Sequence, residues 1–436
     1  MNLNFDSTAQ LLVSGGDERL ALNSQGVNKY GCAPTPDEAL LSFSSSTATT
    51  ISAESFAIAD ALRSRLVNAC ETTSHEQVYA QEVMRQKSEW RELIGLSHDT
   101  RLIFSPSGTD VHAFTATHVA PNTLILMVEG NETGSGVITA LEQGSDVEVV
   151  SIPLRSFDGL PRLIAEIETE IVSHVERGIF QQRDVLLILV DQSKTGMIAP
   201  SPQCAVQLKT KYAKQLNVLV DACQFRFSAK TLKAYLQHGF MVIVTGSKFL
   251  AAPSFSAMLL LPAELDTFAN VSVEPINWGL LLRMEVALAE YRAFCVLADA
   301  QISAVICNFS TAVQNYLETS PYFESLSVPA LNRGDVIDSL TWDCLPTIFP
   351  FVLCHDNKPL SRSQTLAIYQ HLPLQTPRCQ IGQPVICGQR DGVEVSALRL
   401  CLSSRLIVDA ACSQQHLQAC IQNGLRVLEI LESLVR

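Results

Sequence analysis

The sequence predicts an α/β protein: a large domain with a mainly parallel seven-stranded sheet covered by helices on both faces, plus a smaller C-terminal α+β domain. Three observations carry this. Short, continuously apolar runs recur between about residues 80 and 262. Amphipathic stretches of helical length separate them. A second, smaller alternation of the same kind follows after the long apolar helix pattern at 280–318. Strands buried on both faces read as unbroken apolar runs, and parallel neighbours need crossover helices between them.

The elements follow in order. The first 50 residues are rich in turn formers and hydroxyls, as in 28-NKYGCAP-34 and 43-FSSSTATTIS-52, and form an N-terminal segment, 1–50. The large domain, 51–295, carries apolar runs at Thr123–Val128, Val147–Ile152, Val185–Val190, Val218–Val220, Met241–Val244 and Ala257–Leu261. QEVMRQKSEWRELIGL, GLPRLIAEIETEIVSHVERG and AKTLKAYLQHG are among the helical stretches. Residues 280–318 read as one long or broken helix. The small domain, 296–436, holds a strand at Thr347–Cys354, a helix at Arg362–Leu372 capped by Ser361, a strand at Glu394–Leu402 and a last amphipathic helix at Gln414–Val435.

Composition narrows the function. A net charge of -13, with no Lys/Arg cluster, excludes a nucleic-acid binder, because phosphate contacts need clustered cations. The span 241–263 is broken by Gly246, Lys248 and Pro253, so two strands and a turn fit better than a membrane helix. MNLNFDSTAQ has no basic start leading into an apolar core, so no signal peptide is expected. The 13 cysteines form no CxxC pair, and those in apolar runs, such as Cys295 and Cys401, read as reduced core thiols. A cytoplasmic protein without a metal site is the expectation.

In an open parallel sheet, ligands bind beyond the carboxyl ends of the strands. Asp191–Lys194 follows one apolar run, Asp221 another, and Thr245-Gly246-Ser247-Lys248 a third. Ser107-Gly108-Thr109 stands at a helix start, where backbone N–H groups and hydroxyls meet a phosphate. A strand-end carboxylate can hold a protonated ring nitrogen, and a desolvated lysine can form a Schiff base with an aldehyde. A phosphate, a pyridine nitrogen and an aldehyde together describe pyridoxal 5'-phosphate.

These motifs resemble those of the fold-type I pyridoxal-phosphate enzymes, within them the class V aminotransferase and cysteine desulfurase group. That family's Asp-Ala-x-Gln is similar to 221-DACQ-224, and its Ser-x-His-Lys-Phe to 245-TGSKFLAAP-253, with 248 − 221 = 27 residues between Asp and Lys. Its phosphate motif resembles 105-SPSGTD-110, its Asn-x-x-x-Gly element 191-DQSKTG-196, and its carboxylate-gripping arginine Arg399 in 396-SALRLCLSS-404. The likeness covers about residues 75–410 in order.

The resemblance implies that Lys248 carries the Schiff base and shuttles the substrate Cα proton, while Asp221 pairs with the ring nitrogen. It places Gln224 at the ring hydroxyl, and Ser107, Gly108, Thr109, Thr245 and Ser247 around the phosphate. Arg399 would bind a substrate carboxylate, with Tyr30 and Asn131 as further substrate contacts. A homodimer with shared active sites, acting on a free amino acid, is implied, as an aminotransferase or as a β-elimination lyase. A cofactor-fold scaffold without activity is the reading of another class. The departures are specific. Ser247 replaces the family's histidine, 129-EGNETGSG-136 offers no ring-stacking aromatic, and His112 lies one turn into the phosphate helix. The partner-subunit phosphate clamp is represented only by 277-NWG-279, and no cysteine matches the desulfurase loop, Cys344 and Cys354 reading as core.

Overall fold

A computed structural model describes residues 6–144, 146–263, 265, 275–337 and 341–436. The first five residues of the N-terminal reading lie outside them.

Seven strands make the main path of the large sheet. In spatial order they are Arg101–Ser105, Ala257–Leu261, Met241–Thr245, Leu216–Ala222, Val185–Asp191, Thr123–Val128 and Val147–Ile152. The last five are mutually parallel, and Ala257–Leu261 runs antiparallel to both of its neighbours. A two-residue strand, Ile198–Ala199, folds back on the end of Val185–Asp191.

The apolar runs are continuous because alternate residues feed different cores. Leu124, Leu126, Leu187, Leu189, Val218 and Val220 face the larger core. Ile125, Met127, Leu186, Ile188 and Leu219 face a second core on the other side. The strand read at 218–220 extends at both ends, to Leu216–Ala222, because all of it is paired with Val185–Asp191 or Met241–Thr245.

The second sheet has the order Leu40–Phe43, Arg378–Arg390, Val393–Cys401, Ile348–His355, Phe323–Ser325. Its first strand comes from the N-terminal segment and pairs parallel with Arg378–Arg390. The 280–318 pattern resolves into Trp278–Cys295 and Asp299–Thr319, bent by 96° at the break. Cys295, read as a core thiol, is exposed at the end of the first of these helices, whereas Cys401 is buried. Among the described residues no single helix is long and apolar enough to cross a membrane.

A buried ion pair ties the large sheet to the segment between Phe323–Ser325 and Ile348–His355. Arg333 donates to both oxygens of Asp191, at 2.6 and 2.7 Å, and to the carbonyl of Asp343, and Tyr235 donates to Asp191 at 2.7 Å. Asp191, at the end of a central strand, is thus consumed by structure.

Candidate active site

The carboxyl ends of the parallel strands open into a cavity of about 230 Å³. Val190, Asp221 and Thr245, the ends of three adjacent strands, lie in its wall, as register requires: Val190 pairs with Asp221, and Asp221 with Ile243. Ser107, Gly108, Thr109, Gln224, Ser247, Lys248, Arg399 and Tyr30 line the same cavity. Asn131 does not; it is exposed and off the cavity wall, while its neighbour Glu132 faces inward.

One end gathers a helix N-terminus and a guanidinium. Ser107 caps the helix Gly108–His118, its Oγ accepting from the Asp110 N–H. Gly108 is needed for space: a Cβ there would stand 2.4 Å from the Cys223 Sγ. Arg19, from the N-terminal segment, completes this end. Its guanidinium reaches the Ser107 Oγ at 3.3 Å and the Thr109 Oγ1 at 3.5 Å, lies over the Phe255 ring, and is held by Asp17 at 2.6 Å. A helix N-terminus beside a guanidinium attracts a phosphate by dipole and by charge. Sequence reading missed Arg19, which lies in an irregular segment 88 residues before Ser107.

Asp221 forms the floor with His112. His112 is fully buried, and its Nε2 lies 3.0 Å from the Asp221 Oδ2. The Cys223 N–H donates to the other carboxylate oxygen at 3.1 Å. Burial alone would raise the Asp221 pKa, but the His112 hydrogen bond and the charges of His112 and Lys248 hold it well below the usual carboxylate range. An anionic Asp221 accepts, so His112 Nε2 is the donor of this bond, while the buried His112 Nδ1 has no hydrogen-bond partner. The spacing held a clue, since His112 follows Gly108 by four residues on one helix face. Burial and the neighbouring Asp221 charge push the Cys223 thiol well up, so it stays neutral.

Lys248 sits on a tightly fastened turn. The Gly246 N–H donates to Ser256, the Ala252 N–H to Gly246, and the Thr245 Oγ1 to the Cys223 carbonyl at 2.6 Å. A Cβ on Gly246 would meet the Ala287 Cβ at 2.4 Å, so the turn packs directly on the helix Trp278–Cys295. Ala251 and Phe255 adopt φ of 58° and 72°, backbone strain of the kind that surrounding structure must impose. The Gln224 amide is fixed at both ends, donating to the Ser46 carbonyl and accepting from Arg226.

The opposite end is built by both sheets. Arg399 is 2% exposed and donates to the Gln383 carbonyl (2.6 Å), the Thr47 Oγ1 (3.1 Å) and the Lys194 carbonyl (3.2 Å). Its Nε is buried without a partner, and burial lowers its pKa. Gly382 makes room for it, because a Cβ there would lie 3.0 Å from that Nε. Lys194 lines the cavity too, its Nζ 3.3 Å from the Gly130 carbonyl. Glu132 is consumed by Arg155, Ser193 and Thr195 at 2.7–2.8 Å. The 277-NWG-279 element is structural: the Asn277 side chain caps the helix Trp278–Cys295 and donates to the Gly15 carbonyl.

Solved structures share this fold. The chain matches a structure of SPT with PLP internal aldimine at TM-score 0.57 and 12% identity, over 90% of this chain and 88% of that one. A serine palmitoyltransferase from S. paucimobilis, with bound PLP-myriocin aldimine, matches at TM-score 0.52 and 12% identity, over 81% and 77%. A NifS-like protein from Rickettsia africae matches at 0.54 and 10%, over 89% and 99%. The fold is theirs. No protein-family model and no curated sequence matches the chain.

Proposed function

We propose that the protein is a pyridoxal 5'-phosphate enzyme acting on a free amino acid, and that its reaction is amino-group transfer. The observation that carries this reading is the convergence of Lys248, Asp221 and the Ser107–Thr109 helix start on one cavity. The residues fit the group in three independent ways. Gly108 packs so closely on Cys223 that no side chain fits there, which leaves the helix start open, Arg19 and that helix start would attract a dianion, and Asp221 is held anionic and so could pair with a protonated ring nitrogen. Serine palmitoyltransferase structures of this fold contain PLP, which supports the same cofactor here.

When bound, the cofactor supplies an aldehyde for amines and a protonated ring that accepts electrons. Lys248 is the residue whose Nζ would hold the aldehyde, and, once free, the same amine would be placed to move a proton at the substrate Cα. Asp221, oriented in turn by His112, would pair with the ring nitrogen and favour its protonated form. Arg399 would orient the substrate carboxylate by its charge and by the donors that Thr47, Gln383 and Lys194 leave free. Transfer is favoured over sulfur abstraction by Cys223. Among the described residues it is the one cysteine lining the cavity, and its thiol is kept neutral beside Asp221. A homodimer, located in the cytoplasm, accompanies this reading.

Purified protein is expected to be yellow, with a visible band that borohydride bleaches and that Lys248→Ala lacks while keeping its circular dichroism. A colourless protein that cannot be reconstituted would refute the cofactor. Amino acids should convert the band to that of the pyridoxamine form without releasing ammonia. Ammonia release with no keto-acid acceptor would instead make it a lyase.

A further inference from the structure

The charges of the cavity wall do not balance with one substrate carboxylate. Arg19 stands at the phosphate end and is already paired with Asp17. Lys248 and Asp221 belong to the cofactor. At the far end stand two cations, Arg399 and Lys194, joined by the bond from the Arg399 Nη1 to the Lys194 carbonyl. Among the described residues no carboxylate forms an ion pair with either. Glu132 is near enough to be felt, but Arg155, Ser193 and Thr195 take up its oxygens.

Lys194 is held there on purpose-built backbone. Its N–H donates to the Glu132 carbonyl at 2.8 Å, and the loop closes through Gly196 to Ser193, with φ of 63° at Gln192 and 96° at Gly196. The Nζ has a single weak contact, the Gly130 carbonyl at 3.3 Å, and so keeps donors free toward the cavity. Burial, then the Arg399 and Lys248 charges, pull its pKa down to about 8. A buried guanidinium beside a half-buried ammonium, with no anion paired to either, is a costly arrangement that a dianion would relieve.

Building on the reading of the cavity as an amino-acid site, we propose that the substrate carries a second anionic group, which Lys194 holds while Arg399 holds the first. The substrate class is then the acidic amino acids, whose side chain ends in a carboxylate, sulfinate or phosphate. Lys194 is a specificity residue in this scheme, and the positively charged wall would disfavour basic side chains by repulsion.

The test is isothermal titration of the holoenzyme with succinate and with succinamate, which has the same length but one charge. Succinate is expected to bind at least about tenfold tighter, the scale of one charge-assisted contact. In Lys194→Met the two should bind within about threefold of each other, and Lys194→Arg should restore the preference. Lys194→Gln serves equally, should the methionine variant fold poorly. Equal binding of both ligands by the wild type, or a preference that survives loss of the lysine, overturns the proposal. Spectral titrations with aspartate, cysteine sulfinate and phosphoserine then tell which anion is preferred. The visible band is read before any ligand is added, so the two readings fail separately. A colourless protein that still prefers succinate refutes the cofactor and leaves the two-anion site standing.

Discussion

Replacing Lys194 by methionine should stabilise the cofactor-free protein, and the gain should vanish in alkali. The side chains are close in volume, so the perturbation is the charge. Burial together with Arg399 and Lys248 lowers the lysine from 10.5 to about 8, against a small opposing effect of Glu132. At 1.36 kcal/mol per pH unit, that fall corresponds to about 3 kcal/mol of destabilisation. The sign follows from proton counting. Below pH 8 the lysine is charged in both states, and the folded state bears the full cost. Between about 8 and 10.5 the folded protein has released a proton that the unfolded chain keeps, so wild-type stability rises with pH toward that of the variant. Above 10.5 the two should coincide. A chain of 436 residues has an unfolding entropy of about 0.9 kcal/mol per kelvin. The variant should therefore melt about 3 °C higher at pH 7, with the difference shrinking through pH 9 and gone near pH 11. Paired scanning calorimetry measures this, and other groups that titrate in alkali cancel in the comparison. A variant melting at or below the wild type at pH 7, or a difference independent of pH, would refute the claim that Lys194 is a strained, unpaired cation.

Three further outcomes follow from the geometry. Asp191→Asn leaves Arg333 buried beside a neutral amide and should cost about 3–5 kcal/mol in stability, read as a fall in melting temperature; a loss below about 1 kcal/mol would show the pair to be dispensable. Gly108→Ala should weaken cofactor binding at least about tenfold by collision with the Cys223 sulfur, and Cys223→Ala should rescue it. A double variant as weak as the single would locate the defect elsewhere. Arg19→Met should reduce affinity for pyridoxal 5'-phosphate by about tenfold while leaving that for pyridoxal unchanged, measured by titration of the apoprotein; equal losses for both would remove Arg19 from the phosphate site.

What sequence revealed and what it hid divide along physical lines. Thr123–Val128, Val185–Asp191 and Met241–Thr245 were legible because strands buried on both faces have no polar interruption. Arg101–Ser105 was hidden, being short, half-buried and begun by a charge. Arg378–Arg390 was hidden by Gly382, Pro384 and Gly388, which in the structure coincide with two register shifts against Val393–Cys401. A proline without an N–H and glycines beside it are what a bulged strand tolerates, and they also erase the apolar run that would announce it.

The candidate site splits the same way. Most of its cofactor end, Arg19 apart, stands at strand and helix ends of one sheet, so Asp221 and Lys248 each follow an apolar run and could be found by reading forward from it. Its substrate end is assembled across the molecule. Arg399 is braced by Thr47, 352 residues away, and by the carbonyls of Gln383 and Lys194. Tyr30, and at the cofactor end Arg19, arrive from a segment whose composition alone suggests only loops. Nothing local marks such residues, because their positions depend on how two sheets and an N-terminal strand are docked. This separation also has a functional consequence. Most groups that would hold the cofactor, Arg19 apart, ride on the parallel sheet, whereas those that would choose the substrate span the junction between the sheets. Small shifts at that junction would alter Arg399 and Lys194 without disturbing Asp221 or Lys248. Specificity on this fold is therefore free to change while the cofactor chemistry stays fixed.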